Sequence, residues 1–147
     1  MNREARDMMD WPNRFVGIPY QEYGRTRLGC DCWGLACIIY QEELGVSLPE
    51  YLGQGAEGEH AEIAALIAGE AASPLWVPVD GPAVAFDIAV FRRDRWNAHV
   101  GIVIRHGLMI HVSSGDCAKV ESYDVGRWRP RLNGVYRHVE LIGLAAR

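Results

Sequence analysis

The chain has 147 residues, of which 49% are hydrophobic and 23% are charged, and its formal net charge is −4 at pH 7. These values predict one globular domain over residues 1–147 and argue against nucleic acid as a partner, because no basic run is dense enough to follow phosphates. No apolar run reaches the ~18 residues of a membrane span and the charged N-terminus lacks a signal-peptide core, so we expect cytoplasmic synthesis without export by that route and no membrane partner.

Helices are predicted in the first half of the chain. One of them carries apolar residues at helical spacing and is followed by Gly45, a good C-terminal stop. Another ends before a Trp-Pro pair, because the residue ahead of proline disfavours the α conformation. The predicted helices are residues 3–10, residues 32–44 and residues 59–71.

Cys32 stands in the first turn of the second predicted helix, directly after Asp31, which is a good N-cap residue. The unpaired N–H groups and the positive dipole end of a helix favour an anion at this position. A thiol there can have its pKa lowered from ~8.5 into the range of about 3.5–7.5. We therefore interpret Cys32 as a candidate nucleophile, and Cys30 and Cys37 as small buried apolar residues.

Short β runs separated by turns follow from Trp76 onwards. Helices first and consecutive antiparallel strands afterwards predict an α+β fold, with the N-terminal helices packed on an antiparallel sheet of about five to six strands. The predicted strands are residues 83–91, 99–104, 108–113, 119–123 and 135–141.

The hairpin that joins two of these strands decides whether His99 and His111 share a face. A two-residue turn would put the two rings on opposite faces, whereas a three-residue loop, 105–107, would put both on one face. The three-residue loop is favoured because Gly107 stands where such a loop needs a left-handed residue. We therefore predict that the two histidines are neighbours, although a single histidine is more often a half-buried structural residue.

Two imidazoles on one sheet face and a thiol at a helix start supply the parts of a thiol–imidazole nucleophile with an orienting third group. In this interpretation His99 takes the proton from Cys32 and later gives it to the leaving amine. His111 holds the far ring nitrogen of His99 and fixes its tautomer.

Several motifs, in this order, resemble those of the NlpC-type cell-wall peptidases, which have a papain-like cysteine peptidase fold. Two positions depart from the usual pattern: Trp33 stands where most members have Ser, and Phe86 stands where many have Gly. No motif covers residues 45–78. The matching segments are Gly-Ile-Pro-Tyr at 17–20, Asp-Cys-Trp-Gly-Leu at 31–35, Phe-Asp-Ile-Ala-Val-Phe at 86–91, His-Val-Gly-Ile-Val at 99–103 and Met-Ile-His-Val at 109–112.

The resemblance implies a peptidase that cuts peptide or isopeptide bonds in the peptidoglycan stem without a metal or organic cofactor. It implies Cys32, His99 and His111 as catalytic residues. It places the hydroxyl of Tyr20 beside the thiol or substrate, and Asp31 at the amino end of the substrate. It also places Trp33 on the substrate side. The Cys-Trp-Gly-Leu variant resembles the branch found in phage tails and gene transfer agents, which implies tail-tip or baseplate proteins as partners and a location on the particle.

Three alternatives remain open from the sequence. A structural tail component could keep the fold without turnover, although the presence of Cys32, His99 and His111 together argues against decay. An amidase of the CHAP type shares the order of cysteine before histidine, but His111 and the Tyr20 segment favour the NlpC type. Zinc binding by Cys30, Cys32 and the two histidines is the weakest alternative.

Overall fold

The computed structural model describes residues 10–49, 75–92 and 98–145. The predicted helices at 3–10, apart from residue 10, and at 59–71 lie outside these residues. Within the described ranges, no helix is long and apolar enough to cross a membrane. The elements in chain order are a 3-10 turn at Trp11–Arg14, β1 (Arg25–Thr26), β2 (Gly29–Cys30), α1 (Cys32–Ile39), a π-helical turn at Tyr40–Leu44, β3 (Trp76–Pro78), β4 (Ile88–Arg92), β5 (Ala98–Arg105), β6 (Leu108–His111), β7 (Lys119–Ser122), a second 3-10 turn at Gly126–Arg131, β8 (Leu132–His138) and α2 (Val139–Ala145).

The strands form one large antiparallel sheet in the order β3-β8-β4-β5-β6-β7, and β1 and β2 form a small separate hairpin. Consecutive strands β4 to β7 are neighbours, which is the usual outcome for hairpin connections. Helix α1 and this sheet form the predicted α+β fold, which is confirmed. The sheet has six strands, the higher of the two numbers predicted.

Helix α1 is central, since every side chain from Trp33 to Ile39 is buried. The helix continues as the π-helical turn and stops at Gly45, whose φ is +67°. The predicted helix at 32–44 is therefore confirmed in both of its bounds. Its apolar residues pack with Val90, Val100 and Ile102 from one face of the sheet.

The opposite face of the sheet carries a second, smaller apolar cluster. Its buried members come from the segment before β4, from β4, β5 and β6, and from the segments after β7. They are Ala83, Ala89, Phe91, Val103, Met109, Tyr123 and Trp128.

Two predicted strand boundaries are wrong. The strand predicted at 83–91 begins only at Ile88, because Phe86 has a left-handed φ of +74° that no strand residue adopts. The strand predicted at 135–141 is β8, which begins earlier, at Leu132, and ends at His138. There the backbone N–H of Val139 donates to Leu75 and the chain turns into α2, so the apolar residues after His138 belong to a helix.

Phe86 combines an unfavourable backbone conformation with good contacts. Its ring stacks on Trp11 at 4.6 Å between centroids, and its N–H donates to the carbonyl of Val103 at 2.8 Å. A left-handed conformation costs a non-glycine residue roughly 1–2 kcal/mol. The ring contacts therefore hold a backbone shape that glycine would adopt without that cost.

We expect Phe86→Gly to be more stable than Phe86→Ala by about 1 kcal/mol, because both lose the ring and only alanine keeps the backbone cost. Urea unfolding of the two variants measures the difference. Val120, an exposed residue in β7, is the control. There the alanine variant is expected to be the more stable one by about 0.5–1 kcal/mol. Equal stability of the two Phe86 variants would contradict the prediction.

Candidate active site

The hairpin of β5 and β6 brings His99 and His111 to one face of the sheet. Ile102 pairs with Ile110 and Val103 with Met109, which is the register of the predicted three-residue loop. The loop itself differs, because Arg105 pairs with Leu108 across a two-residue turn and a bulge absorbs the extra residue. Since the bulge restores the register, the prediction that both rings lie on one face is confirmed.

A chain of hydrogen bonds begins at these two rings. Nε2 of His99 and Nδ1 of His111 are 2.9 Å apart, and Nε2 of His111 lies 2.9 Å from Oε1 of Glu121. Arg127 donates from Nε to Oε2 of Glu121 at 3.0 Å and from Nη2 to Oε1 at 3.1 Å. The chain thus crosses three neighbouring strands, β5, β6 and β7, and ends on the 3-10 turn.

Aromatic packing fixes the orientation of both rings. The indole of Trp128 stacks on His99 at 4.8 Å with an interplanar angle of 19°, and meets His111 edge-on at 5.2 Å. His99 is 1% exposed and His111 is fully buried. Buried rings held by stacking and hydrogen bonds have one orientation, as a positioned acid–base group requires.

The pKa values along this chain differ from those of free side chains. The hydrogen bond from Arg127 is the main cause that lowers the pKa of Glu121 to about 2, so Glu121 is a carboxylate at neutral pH. Burial lowers the pKa of His111, although Glu121 opposes this effect. His111 is therefore a neutral imidazole at neutral pH, with one nitrogen protonated and the other not.

Cys32 is the first residue of α1 and its side chain is half-buried. Oδ1 of Asp31 accepts from the N–H of Gly34 at 2.8 Å, which confirms the predicted N-cap. A Cβ on Gly34 would overlap the carbonyl oxygen of Gly24, so glycine is required for the preceding loop to pack on the first turn. Helix α1 contacts β5, the strand that carries His99.

The carboxylate of Asp31 is occupied by groups of the chain itself. Besides Gly34, it accepts from Nη1 of Arg25 at 2.7 Å and from the N–H of Tyr23 at 3.0 Å, and the Asp31–Arg25 pair is almost wholly buried. These contacts give Asp31 a structural role at the start of α1. Its predicted contact with a substrate amine would have to compete with them, and stays a prediction.

The other residues predicted on the substrate side lie in different surroundings. Tyr20 is half-buried, packs against the core beside α1 and forms a backbone bridge with Cys30. Trp33 has no exposed surface. Its Nε1 donates to the carbonyl of Pro49 at 2.7 Å, and its ring meets Trp76 edge-on. A side chain in that position cannot touch a substrate without leaving the core, so the structure gives Trp33 a place in the core and not on the substrate side.

Of the remaining cysteines, Cys30 and Cys37 are buried, as predicted. Burial raises the pKa of the Cys30 thiol to about 12, which makes it unreactive at neutral pH. Among the residues that the structure describes, no three His, Cys, Asp or Glu side chains converge as metal ligands.

Glu121 and Trp128 are the site residues that sequence reasoning missed. One signal was present: the predicted strand at 119–123 follows the His111 strand, and an acidic residue in it could reach a histidine diagonally across the pair. The structure pairs His111 with Lys119 and Met109 with Glu121, which is the diagonal position. Trp128 had no comparable signal, since it follows the strand in an irregular segment.

Comparison with known proteins gives one family and a consistent set of relatives. The NlpC/P60 family matches residues 17–137. The chain is 25% identical over 131 residues to "Murein DD-endopeptidase MepS/Murein LD-carboxypeptidase" of Escherichia coli strain K12 and of E. coli O157:H7. The match covers 88% of this chain and 61% of each relative, so the chain spans about three fifths of the length of these curated relatives.

Solved structures support the fold. An NlpC/P60 family protein from Bacillus cereus ATCC 10987 has a TM-score of 0.64 at 22% identity, over 91% of this chain and 40% of the other. The NlpC/p60 domain of the peptidoglycan hydrolase SagA has a TM-score of 0.59 at 20% identity, over 93% of this chain and 99% of the other. At these identities the likeness concerns the fold.

Proposed function

Because the chain belongs to the NlpC/P60 family, we propose that it is a cysteine peptidase that cleaves amide bonds in the peptide stem of peptidoglycan. The printed names of its relatives, a murein endopeptidase and a peptidoglycan hydrolase, support this substrate class. The observation that carries the proposal is the buried hydrogen-bonded pair of His99 and His111, since the strand that carries His99 contacts the helix that begins at Cys32.

The hydrogen bond between the two histidines assigns a role to each atom in the proposed reaction. Nε2 of His99 is engaged by His111, so Nδ1 is the nitrogen that takes the proton from Cys32. The Cys32 thiolate attacks the carbonyl carbon, and the N–H of Cys32 at the helix start stabilises the oxyanion. Protonated His99 gives its proton to the leaving amine, and water then hydrolyses the thioester and regenerates the thiol.

We propose further that the enzyme is carried on a phage-like tail and opens the cell wall during DNA delivery, with tail-tip or baseplate proteins as partners. The support is the Cys-Trp-Gly-Leu sequence at 32–35, which resembles that branch. Copurification with intact particles through a density gradient tests this location. Recovery of all of the protein outside the particle fraction would contradict it.

Digestion of purified sacculi tests the reaction itself. We expect new amine and carboxyl ends at a single stem amide bond, with the glycan strands left whole, as measured by mass analysis of the released muropeptides against a digest without protein. Cleavage only at the bond between the sugar lactyl group and the first amino acid would instead indicate the CHAP-like amidase. A folded protein that releases no fragment would favour the structural tail component.

A further inference from the structure

We propose that Glu121, clamped by Arg127, is a positioning residue that fixes the protons on both histidines, so that in neutral His99 the hydrogen is on Nε2 and Nδ1 is the basic nitrogen. This inference rests on the proposed function for its catalytic consequence. The positions of the protons on the two rings can be measured even in a protein that has no peptidase activity. It extends the pair of histidines by a third and a fourth side chain.

The positions of the hydrogens on the two rings can be assigned stepwise along the chain of hydrogen bonds, starting from Glu121. Glu121 is a carboxylate and can only accept, so Nε2 of His111 must carry a hydrogen. Since His111 is neutral, its Nδ1 has no hydrogen and can only accept. Nε2 of His99 must then be the donor across the 2.9 Å contact. In the neutral form of His99 the hydrogen is then on Nε2 and the basic lone pair is on Nδ1, which is the tautomer a general base at Nδ1 needs.

Glu121 is held in place from its other side. Arg127 binds both of its oxygens, and the guanidinium of Arg127 also lies over the ring of Trp128 at 5.1 Å. Trp128 in turn stacks on His99. The guanidinium that binds Glu121 therefore also contacts the indole that packs on the histidines, so a shift of Glu121 would disturb the two rings as well.

The charged groups around His111 leave Glu121 as its anionic partner in direct contact. Lys119 lies opposite His111 on β7, and its ammonium group is 2.8 Å from Asp116. The positive charges of Lys119 and Arg127 both act to lower the pKa of His111, and Arg127 is hydrogen-bonded to Glu121. His99 adds a positive charge when it holds the thiol proton. Glu121 is thus placed to stabilise that charge, and through it the thiolate of Cys32.

The decisive measurement is ¹⁵N NMR of the imidazole nitrogens in the Cys32→Ala background. We expect both histidines to carry their hydrogen on Nε2 in this background, and to become tautomer mixtures in Glu121→Met, which keeps the size of the side chain and removes the acceptor. Glu42→Gln removes an exposed acid paired with Arg27 and is the matched control, with no change expected. Unchanged tautomers in Glu121→Met would overturn the proposal.

Kinetics with Cys32 present separate the charge of Glu121 from its hydrogen bond. Glu121→Gln keeps an acceptor but removes the charge, and we expect kcat/KM to fall by about 10–100-fold. Both limbs of the pH profile should move, because the imidazolium becomes more acidic and the thiol less acidic. A wild-type pH profile in Glu121→Gln would overturn the electrostatic part.

The two proposals fail in different ways. Inactivity of the unmodified protein, with the expected tautomer change in Glu121→Met, would reject the peptidase and keep the proton assignment. Activity with unchanged tautomers would reject the role of Glu121 and keep the peptidase. Arg127→Met provides a second variant, in which Glu121 stays and loses its clamp; tautomer mixing is expected in the same direction and to a smaller extent.

Discussion

Cys32→Ala is expected to lower kcat/KM on peptidoglycan by at least about 10⁴-fold while the protein stays folded, because the nucleophile is lost and the groups around it act as a unit. Cys32 is half-buried at the start of α1, and the cap on this helix comes from Asp31 rather than from the thiol. The helix therefore does not depend on the sulfur. Muropeptide release measures the rate, and circular dichroism checks the fold.

Two further variants make this prediction specific. Cys32→Ser keeps the shape and a polar atom, yet we expect nearly the same loss, because a hydroxyl is a much weaker acid than a thiol. Cys37→Ala makes the same change five residues along the same helix, where the sulfur is buried, and activity should be retained. Substantial hydrolysis by Cys32→Ala would remove Cys32 from the mechanism.

Local signals were sufficient for the parts of the site that depend on neighbouring residues. The start of α1 follows from Asp31 directly before Cys32, since an N-cap acts within one turn. The shared face of His99 and His111 follows from a single hairpin with a glycine of φ +88° at position 107. Both features are decided within a dozen residues of the chain, where spacing alone constrains geometry.

The parts that the sequence did not predict depend on several elements at once. Glu121 meets His111 only because β6 and β7 pair in one register, and Arg127 reaches it from an irregular turn. The family resemblance implied that Trp33 lies on the substrate side, yet successive helix residues point about 100° apart and this one faces the core. The late start of β4 depends on the left-handed Phe86, whose ring is held by Trp11 from a distant segment.

Asp87 shows how a motif residue can serve the fold rather than the chemistry. It precedes β4, is fully buried, and accepts two hydrogen bonds of 2.9 Å from Nε and Nη2 of Arg137 on β8. The N–H of Val84 donates to the same carboxylate at 2.9 Å. These contacts join the irregular segment before β4 to the neighbouring strand, and they neutralise a charge that water cannot reach.

Arg137→Met is therefore expected to lower the free energy of unfolding by about 3 kcal/mol, because it keeps the aliphatic stem and leaves the buried carboxylate without its partner. Arg129→Met is the matched control: its pair with Asp124 is exposed, with 63% and 54% of the side chains accessible, and its loss should cost less than about 1 kcal/mol. Urea unfolding measures both.

Adding Asp87→Asn to Arg137→Met removes the stranded charge while an amide oxygen can still accept from Val84, so the double variant should regain more than half of the lost stability. Equal losses at positions 137 and 129 would mean that the carboxylate of Asp87 finds water, and that this ion pair stabilises the fold no more than an exposed one.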